Sequence, residues 1–257
     1  MDAVVDKKPV SFNRWLPYWA VFQSDVRQTL RSWVYRFWVL LSVLATVGYL
    51  LYSFGIYHEA GIIQSASLHI SHLLLWIVLG SAVIICVLTA GSISSERGTM
   101  ADSVLSRGIS RHQYFLGKWH ARLATVLGTF VLLGVLMLLS AMLLLHEDLS
   151  WHGSLVGLAV ITVLLGAVIT CGVTVSSIAN STVLGIAVLW SILCAAGLLL
   201  RFLPPRYPTP DRTLERLPYI LQGHYDLTSL AQFAGWSLLV SCLTALIGLA
   251  YFSRRDV

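Results

Sequence analysis

His69 and His72 are the residues whose type and spacing come closest to a chemical site. Separated by three positions, they fall on one face of a helix, where two imidazoles can bind one metal ion or a haem iron. No acidic residue or cysteine accompanies them in the neighbouring sequence. The alternative is a pair of histidines in the headgroup region of a membrane. Because the further ligands are missing, we favour this alternative and keep the metal or haem site as a secondary hypothesis.

Acidic residues and phosphate-binding loops are the next signs of chemistry to consider. All twelve acids fall in loops, tails or an interfacial segment, and none falls in the middle of an apolar run. Ion-coupled carriers usually place carboxylates inside the membrane, so this distribution argues against a stand-alone carrier. Gly117 and Lys118 do not form a phosphate loop, because Trp119 follows them and no glycine lies five residues before Gly117. Any ATP chemistry must therefore come from another chain.

The longest polar stretch between two apolar segments runs from residue 91 to residue 122. Thr99 and Asp102 have the capping-box spacing, which predicts a short helix over about 100–107 that ends at Gly108. Residues three and four apart lie side by side on a helix, so this helix has an apolar face. The face consists of Met100, Ala101, Val104 and Leu105. Such a helix is either a docking surface for a partner or an ordinary interfacial loop helix.

Composition identifies the whole chain as an integral membrane protein. Hydrophobic residues make up 57% of the 257 residues, charged residues only 11%, and the mean hydropathy is +0.78. The apolar runs predict an all-α protein with six transmembrane helices. We place these at about 37–56, 68–93, 112–145, 154–177, 183–203 and 231–252, with Ser110 and Gln113 as a second capping box before the third. The third span is longer than a bilayer needs, so we expect its Lys118–Arg122 end to project into the cytoplasm. The four cysteines lie in apolar runs, and we interpret them as small hydrophobic residues.

Lysine and arginine predict the orientation. Six lie in residues 1–36, five in residues 94–122 and two in the tail, which makes thirteen of the seventeen in the chain. Cytoplasmic loops carry this excess in membrane proteins, so both termini and the 94–122 stretch are predicted to be cytoplasmic, with the protein in the inner (cytoplasmic) membrane. The net charge of +5 thus requires no nucleic acid.

Two further segments flank the spans. The cytoplasmic N-terminus, residues 1–36, contains aromatic and apolar residues at helical spacing, which predicts an amphipathic helix lying in the membrane interface. The stripe consists of Trp15, Trp19, Phe22, Val26, Leu30, Trp33 and Phe37. The outer loop at 204–230 begins with four prolines, and its Thr213–Leu221 part predicts a short re-entrant helix that dips back towards the membrane. Residues 253–257 form a cytoplasmic tail after the six-helix domain at 37–252.

Several elements of the sequence together resemble the permease subunits of type-2 ABC exporters. The motifs are SSERGT at 94–99, LSRGISR at 105–111 and LGK at 116–118, with Gly108 where the family usually has proline. The interfacial helix, the six spans, the long last outer loop and the tail also resemble this family. The resemblance therefore covers essentially the whole chain.

The resemblance implies a half-transporter without catalytic residues or cofactors of its own. A cytoplasmic ABC ATPase subunit would bind ATP and Mg²⁺, and a second permease copy or homologue would complete the translocation path. The helix at 100–107 would be the coupling helix, with the turn at 178–182 as a second, smaller contact. The implied ATPase-coupling residues are Glu96, Arg97, Gly98, Thr99, Met100, Val104, Leu105 and Arg107, and those of the second contact are Asn180, Ser181 and Thr182. Glu96 and Arg97 would form the hinge after the second span, although Glu96 is equally consistent with a solvated charge.

Overall fold

The computed structural model describes residues 15–60, 65–95, 109–145, 148–204 and 207–254. Within these ranges every regular element is a helix, which confirms the all-α class predicted from the sequence. The helices are α1 (Leu16–Arg31), α2 (Trp33–Ala60), α3 (Ala66–Ser94), α4 (Arg111–Arg122), α5 (Gly128–Leu145), α6 (Trp151–Ile178), α7 (Thr182–Arg201), α8 (Pro210–Glu215), α9 (Leu217–Leu221) and α10 (Leu227–Arg254).

In the described part of the chain, six helical segments are long and apolar enough to cross a membrane, as predicted. They are α2, α3, α4 with α5, α6, α7 and α10. A π-helical turn at Leu123–Leu127 joins α4 to α5, so that the third span continues as one long helix. The predicted capping box forms at its start, because Ser110 Oγ accepts the Gln113 N–H and Gln113 Oε1 accepts the Ser110 N–H, both at 3.2 Å.

The amphipathic helix is shorter than its apolar stripe predicts. Helix α1 ends at Arg31, since Ser32 has an extended backbone with ψ of 133°, and α2 begins at Trp33. The last two members of the stripe, Trp33 and Phe37, therefore belong to the first span. The first span therefore begins about four residues before the predicted boundary near residue 37, because helical spacing of side chains continues across a local change in backbone direction.

The spans differ in how far the protein itself covers them. In the most apolar 18-residue stretch of each span, half of the residues are buried in α3 and in α6. The buried share is 22% in α2, 17% in α10 and 11% in α7. Helices α3 and α6 therefore form the centre of the bundle, with α10 packed along α6 and α7 along α3. Fully buried Ile85, Ile161 and Ile169 lie in this centre.

Because the spans alternate in direction, the bundle has two distinct ends. We call one the α1 end, where α1, the start of α4, the turn between α6 and α7 and the end of α3 lie together. We call the other the α9 end, where the starts of α3 and α6 meet α9. The predicted cytoplasmic side corresponds to the α1 end.

The segment between the fifth and sixth spans forms two short helices rather than one. Helix α8 ends at Glu215 and α9 begins at Leu217, with Pro218 in the first turn of α9. Apolar side chains of α9 are buried against α3 and α6; they are Leu217, Ile220 and Leu221. This packing covers the backbone of a helix that is too short to span a membrane.

Candidate functional site

The residues predicted to contact an ATPase fall largely outside the described part of the chain. Glu96, Arg97, Gly98, Thr99, Met100, Val104, Leu105 and Arg107 all lie in 96–108, and so does the helix predicted at 100–107. These remain predictions. The structure instead describes the two residues that flank this segment, Ser95 and Ile109, and the elements that surround them.

The predicted second contact lies at the same end of the molecule as this segment. Asn180 and Ser181 are exposed in the turn between α6 and α7, where the Ser181 hydroxyl accepts the Leu184 N–H at 3.3 Å. Thr182 is half-buried, and its hydroxyl lies 3.4 Å from that of Ser94 in the last turn of α3. The turn is therefore adjacent to the helix end that leads into residue 96.

A buried group of charges lies beside this helix end, and we call it the Asp25 cluster. It consists of Asp25 on α1 with Lys118 and Arg122 on α4, whose exposed fractions are 2%, 3% and 7%. Lys118 Nζ lies 3.2 Å from Asp25 Oδ1, and Arg122 Nη2 donates to the same oxygen at 3.2 Å. Arg122 Nε lies 3.1 Å from Asp25 Oδ2 as an ion pair without hydrogen-bond geometry. One carboxylate thus compensates two cations away from water.

Lys118 also connects the Asp25 cluster to the second span. Its ammonium group donates to the Ser92 carbonyl in the last turn of α3 at 2.8 Å, and lies 5.4 Å from the centre of the Tyr114 ring. A lysine has three N–H donors, so one side chain can bond α1 and α3 from α4. The three helices therefore meet at a single ammonium group.

The end of α3 is also bonded to α6. The hydroxyl of Ser176, which is fully buried, accepts the backbone N–H groups of Ile93 at 2.9 Å and Ser94 at 3.1 Å. Both N–H groups belong to the last turn of α3, where a helix leaves carbonyls unpaired rather than N–H groups, so the hydroxyl adds a contact between the two helices. Lys118 and Ser176 thus hold the last turn of α3 from two neighbouring spans, immediately before the segment at 96–108.

The Lys118–Arg122 end of the third span packs against α1, and its predicted projection into the cytoplasm stays a prediction. The side chains of Lys118 and Arg122 are buried against α1. Gly117 of α4 faces α1 so closely that a Cβ there would lie 2.9 Å from a Val21 methyl carbon. In the same helix, His120 Nδ1 lies 3.0 Å from the Tyr18 hydroxyl. Burial raises the pKa of Tyr18, so the phenol stays protonated.

A polar cavity of about 980 Å³ adjoins the Asp25 cluster. Its lining includes Asp25, Arg27, Arg31, Ile109 and Lys118. Ile109 is the first described residue after the 96–108 segment, so the cavity lies where that segment rejoins the bundle. Arg27 and Arg31 are exposed on α1 and add positive charge to its wall.

His69 and His72, the pair that suggested a metal or haem site, differ in their contacts and exposure. His69 Nδ1 is hydrogen-bonded to the Tyr49 hydroxyl at 3.0 Å, and His72 is exposed. No three histidine, cysteine or acidic side chains among the described residues come together as a metal-binding group.

Comparison with known proteins adds no identification. No family model matches this chain, and no curated protein matches it either.

The Asp25 cluster is the feature that the sequence interpretation missed. Asp25 was counted as an interfacial acid, whereas it is buried on the face of α1 that also carries Val21 and Thr29. One signal was available, since Asp25 is the single acid within a segment whose other charges, from Arg14 to Arg36, are basic. Its partners lie more than ninety residues away, so the sequence alone did not identify them.

Proposed function

We propose that this chain is the transmembrane permease subunit of an ATP-driven exporter of the type-2 ABC class. It would form the translocation path and couple to a separate ATPase subunit through the 94–118 stretch. The motifs in that stretch, the interfacial helix and the six spans support this proposal. The chain would lie in the cytoplasmic membrane with both termini inside, as the distribution of lysine and arginine predicts.

The contacts of Lys118 are the observation that carries the proposal. This lysine belongs to the LGK motif, and its ammonium group bonds Asp25 on α1 and the Ser92 carbonyl at the end of α3. A movement of the 96–108 segment would displace both of its ends, Ser95 after α3 and Ile109 before α4. Since α1, α3 and α4 are bonded to one another there, such a movement would tilt them together.

The proposal leaves ATP chemistry to the partner. ATP and Mg²⁺ would bind to the ATPase subunit, and two permease copies, or this chain with a homologue, would form the membrane part. We expect the purified permease alone to hydrolyse no ATP. Robust ATPase activity from this chain by itself would contradict the half-transporter.

The direct test replaces the apolar face of the predicted coupling helix. Leu105→Asp and Val104→Asp should each weaken binding to the ATPase and abolish transport, because burial of one such side chain is worth about 1.5–3 kcal/mol and a buried unpaired charge is costly. Arg107→Glu at the predicted rim should have a smaller, salt-sensitive effect. The measurements are co-purification with a candidate ABC ATPase subunit and ATP turnover of the complex in lipid.

Ser103→Asp is the matched control for these variants. It adds the same charge one residue away, on the face predicted to point away from the ATPase. It should retain complex formation and coupled turnover. If the Leu105 and Val104 variants also retain both, the 100–107 segment is not the coupling element.

A further inference from the structure

A second cavity, of about 350 Å³, lies at the α9 end of the molecule. It is bounded by the loop before α8, by α8 and α9, and by the start of α10, and its volume falls within the range of small-molecule pockets. Its walls combine two guanidinium groups, three phenol rings and one carboxylate. These belong to Arg212, Arg216, Tyr207, Tyr219, Tyr225 and Asp226.

The guanidinium group of Arg212 is held in place by backbone carbonyls of the loop before α8. Its Nη1 donates to the carbonyls of Pro204 at 2.9 Å and Tyr207 at 3.2 Å, and its Nη2 donates to the Leu203 carbonyl at 2.8 Å. These acceptors are neutral. They fix the guanidinium group without compensating its charge, so Arg212 contributes a positive potential to the cavity wall.

Arg216 is the second cation, and its side chain is available to a ligand. Arg216 lines the cavity and is exposed, and its guanidinium group makes no hydrogen bond or ion pair with any residue in the described ranges. Its backbone lies at the break between α8 and α9, two residues before Pro218, so the two flanking helices fix the position of its backbone. A guanidinium group offers paired N–H donors that match the oxygens of a phosphate.

Asp226 lines the same cavity, and its carboxylate is hydrogen-bonded to residues at the start of α10. Its carboxylate accepts bonds from the Ser229 hydroxyl at 2.7 Å, the Ser229 N–H at 3.2 Å and the Thr228 N–H at 3.1 Å. These bonds, with that of the Ser229 hydroxyl first, hold the pKa of Asp226 below its usual range, so the carboxylate stays ionised. Apart from His224, the two guanidinium groups and one carboxylate of the lining leave one positive charge in excess.

We propose that this cavity binds a phosphate group, with Arg216 as its main hydrogen-bond donor and the tyrosine rings as walls around the attached group. The cavity opens at the end of a membrane-spanning helix, beside exposed Leu227 at the start of α10. A phospholipid can place its headgroup at this end of the helix while its acyl chains lie along the apolar surface of the bundle. The site is formed by α8, α9, the start of α10 and the loops that join them to one another and to the fifth span, and it does not depend on the proposed exporter function.

The test compares two arginine variants of the full-length protein in detergent. The probes are dihexanoyl phosphatidylglycerol, inorganic phosphate and dihexanoylglycerol, with binding measured by isothermal titration. Arg216→Gln should weaken binding of dihexanoyl phosphatidylglycerol by about tenfold or more, the loss expected for a charge-assisted bidentate contact. Arg201→Gln is the control, because Arg201 lies at the same end but is exposed, pairs with Asp211 and does not line the cavity. It should change the affinity by less than about twofold.

The remaining probes and one further variant distinguish the sources of the phosphate. If inorganic phosphate binds with the same dependence on Arg216, the phosphate group itself is the ligand. If only the phospholipid binds, the apolar walls contribute too, and Tyr219→Ala should then weaken lipid binding several-fold. Equal losses in the Arg216 and Arg201 variants would overturn the proposal, as would equal binding of dihexanoylglycerol or an unmodified protein that binds none of the probes.

Discussion

At the scale of single residues, the energetics of the α1 end depend on Asp25. Its carboxylate pairs with the buried ammonium of Lys118 and the buried guanidinium of Arg122. Removing charges from water is costly, and a nearby opposite charge offsets that cost. The cluster therefore need not add net stability compared with an apolar core, but loss of the Asp25 carboxylate removes the anion that pairs with both buried cations.

The first prediction follows from this asymmetry. Asp25→Asn should lower the free energy of unfolding by about 3–5 kcal/mol, because it breaks a buried ion pair from one side. Asp211→Asn is the matched control, since it removes the exposed pair with Arg201 and should cost about 0–1 kcal/mol. The measurement is denaturant unfolding of the detergent-solubilised protein. Equal losses for the two variants would show that Asp25 is not the compensating charge.

The sequence could predict the charged residues of this site but not their arrangement. Lys118 was recognised within its motif, whereas its partner on α1 was not. Apolar spacing identifies the stripe that includes Trp19 and Leu30, and both are exposed to the surroundings of the bundle. The face that packs on α4 is instead polar in part, with Thr29 beside Asp25. A polar residue that is buried by a distant partner leaves no periodic signal in the local sequence.

At the scale of elements, α9 is held by the starts of α3 and α6. Gln222 Nε2 donates to the Ser67 hydroxyl at 2.8 Å, and the Ser150 N–H donates to the Leu221 carbonyl at 2.9 Å. Gly153 allows this approach, because a Cβ there would lie 2.1 Å from the Ile220 carbonyl oxygen. The backbones of α6 and α9 are thus too close for any side chain between them.

The second prediction tests this contact. Gly153→Ala should destabilise the protein by about 1–3 kcal/mol, since the added methyl group must displace backbone atoms of α9. Gly128→Ala serves as the control, because a Cβ there meets nothing within 4 Å and alanine is favoured over glycine in a helix. Unfolding measurements and hydrogen exchange at the Ser150 amide would distinguish the two. Unchanged exchange and stability in the Gly153 variant would contradict the close packing.

The sequence predicts the six spans but not the breaks between neighbouring helices, and the difference has a physical reason. Long apolar runs identify the six spans, because composition over about twenty residues is enough to mark a span. The break at Ser32 was missed, and so was the division of the outer segment into α8 and α9 at Arg216. Both are changes in the backbone at one residue, where hydropathy and periodicity do not change. The helix at 100–107 remains a prediction.

At the scale of the whole molecule, the bundle leaves three spans with large uncovered apolar faces. Exposed side chains on α2 include Leu44 and those on α7 include Leu198, whereas α3 and α6 are covered by their neighbours over a larger share of their length. Lipid can cover such a face, and so can another copy of the chain. The resemblance to type-2 ABC permeases favours a two-fold pairing in which the first span of one copy meets the fifth span of the other.

The last prediction tests this pairing with the cysteines of the chain itself. Cys194 on α7 and Cys242 on α10 are both exposed and lie at about the same distance from the α1 end as Leu44 on α2. In membranes, the Leu44→Cys variant that retains Cys194 and has its other cysteines replaced by serine should form a cross-linked dimer with a short bismaleimide. The corresponding variant that retains Cys242 should remain monomeric on a denaturing gel, because α10 lies outside the proposed contact. A dimer through Cys242, or none through Cys194, would show that the first and fifth spans do not form the contact between copies.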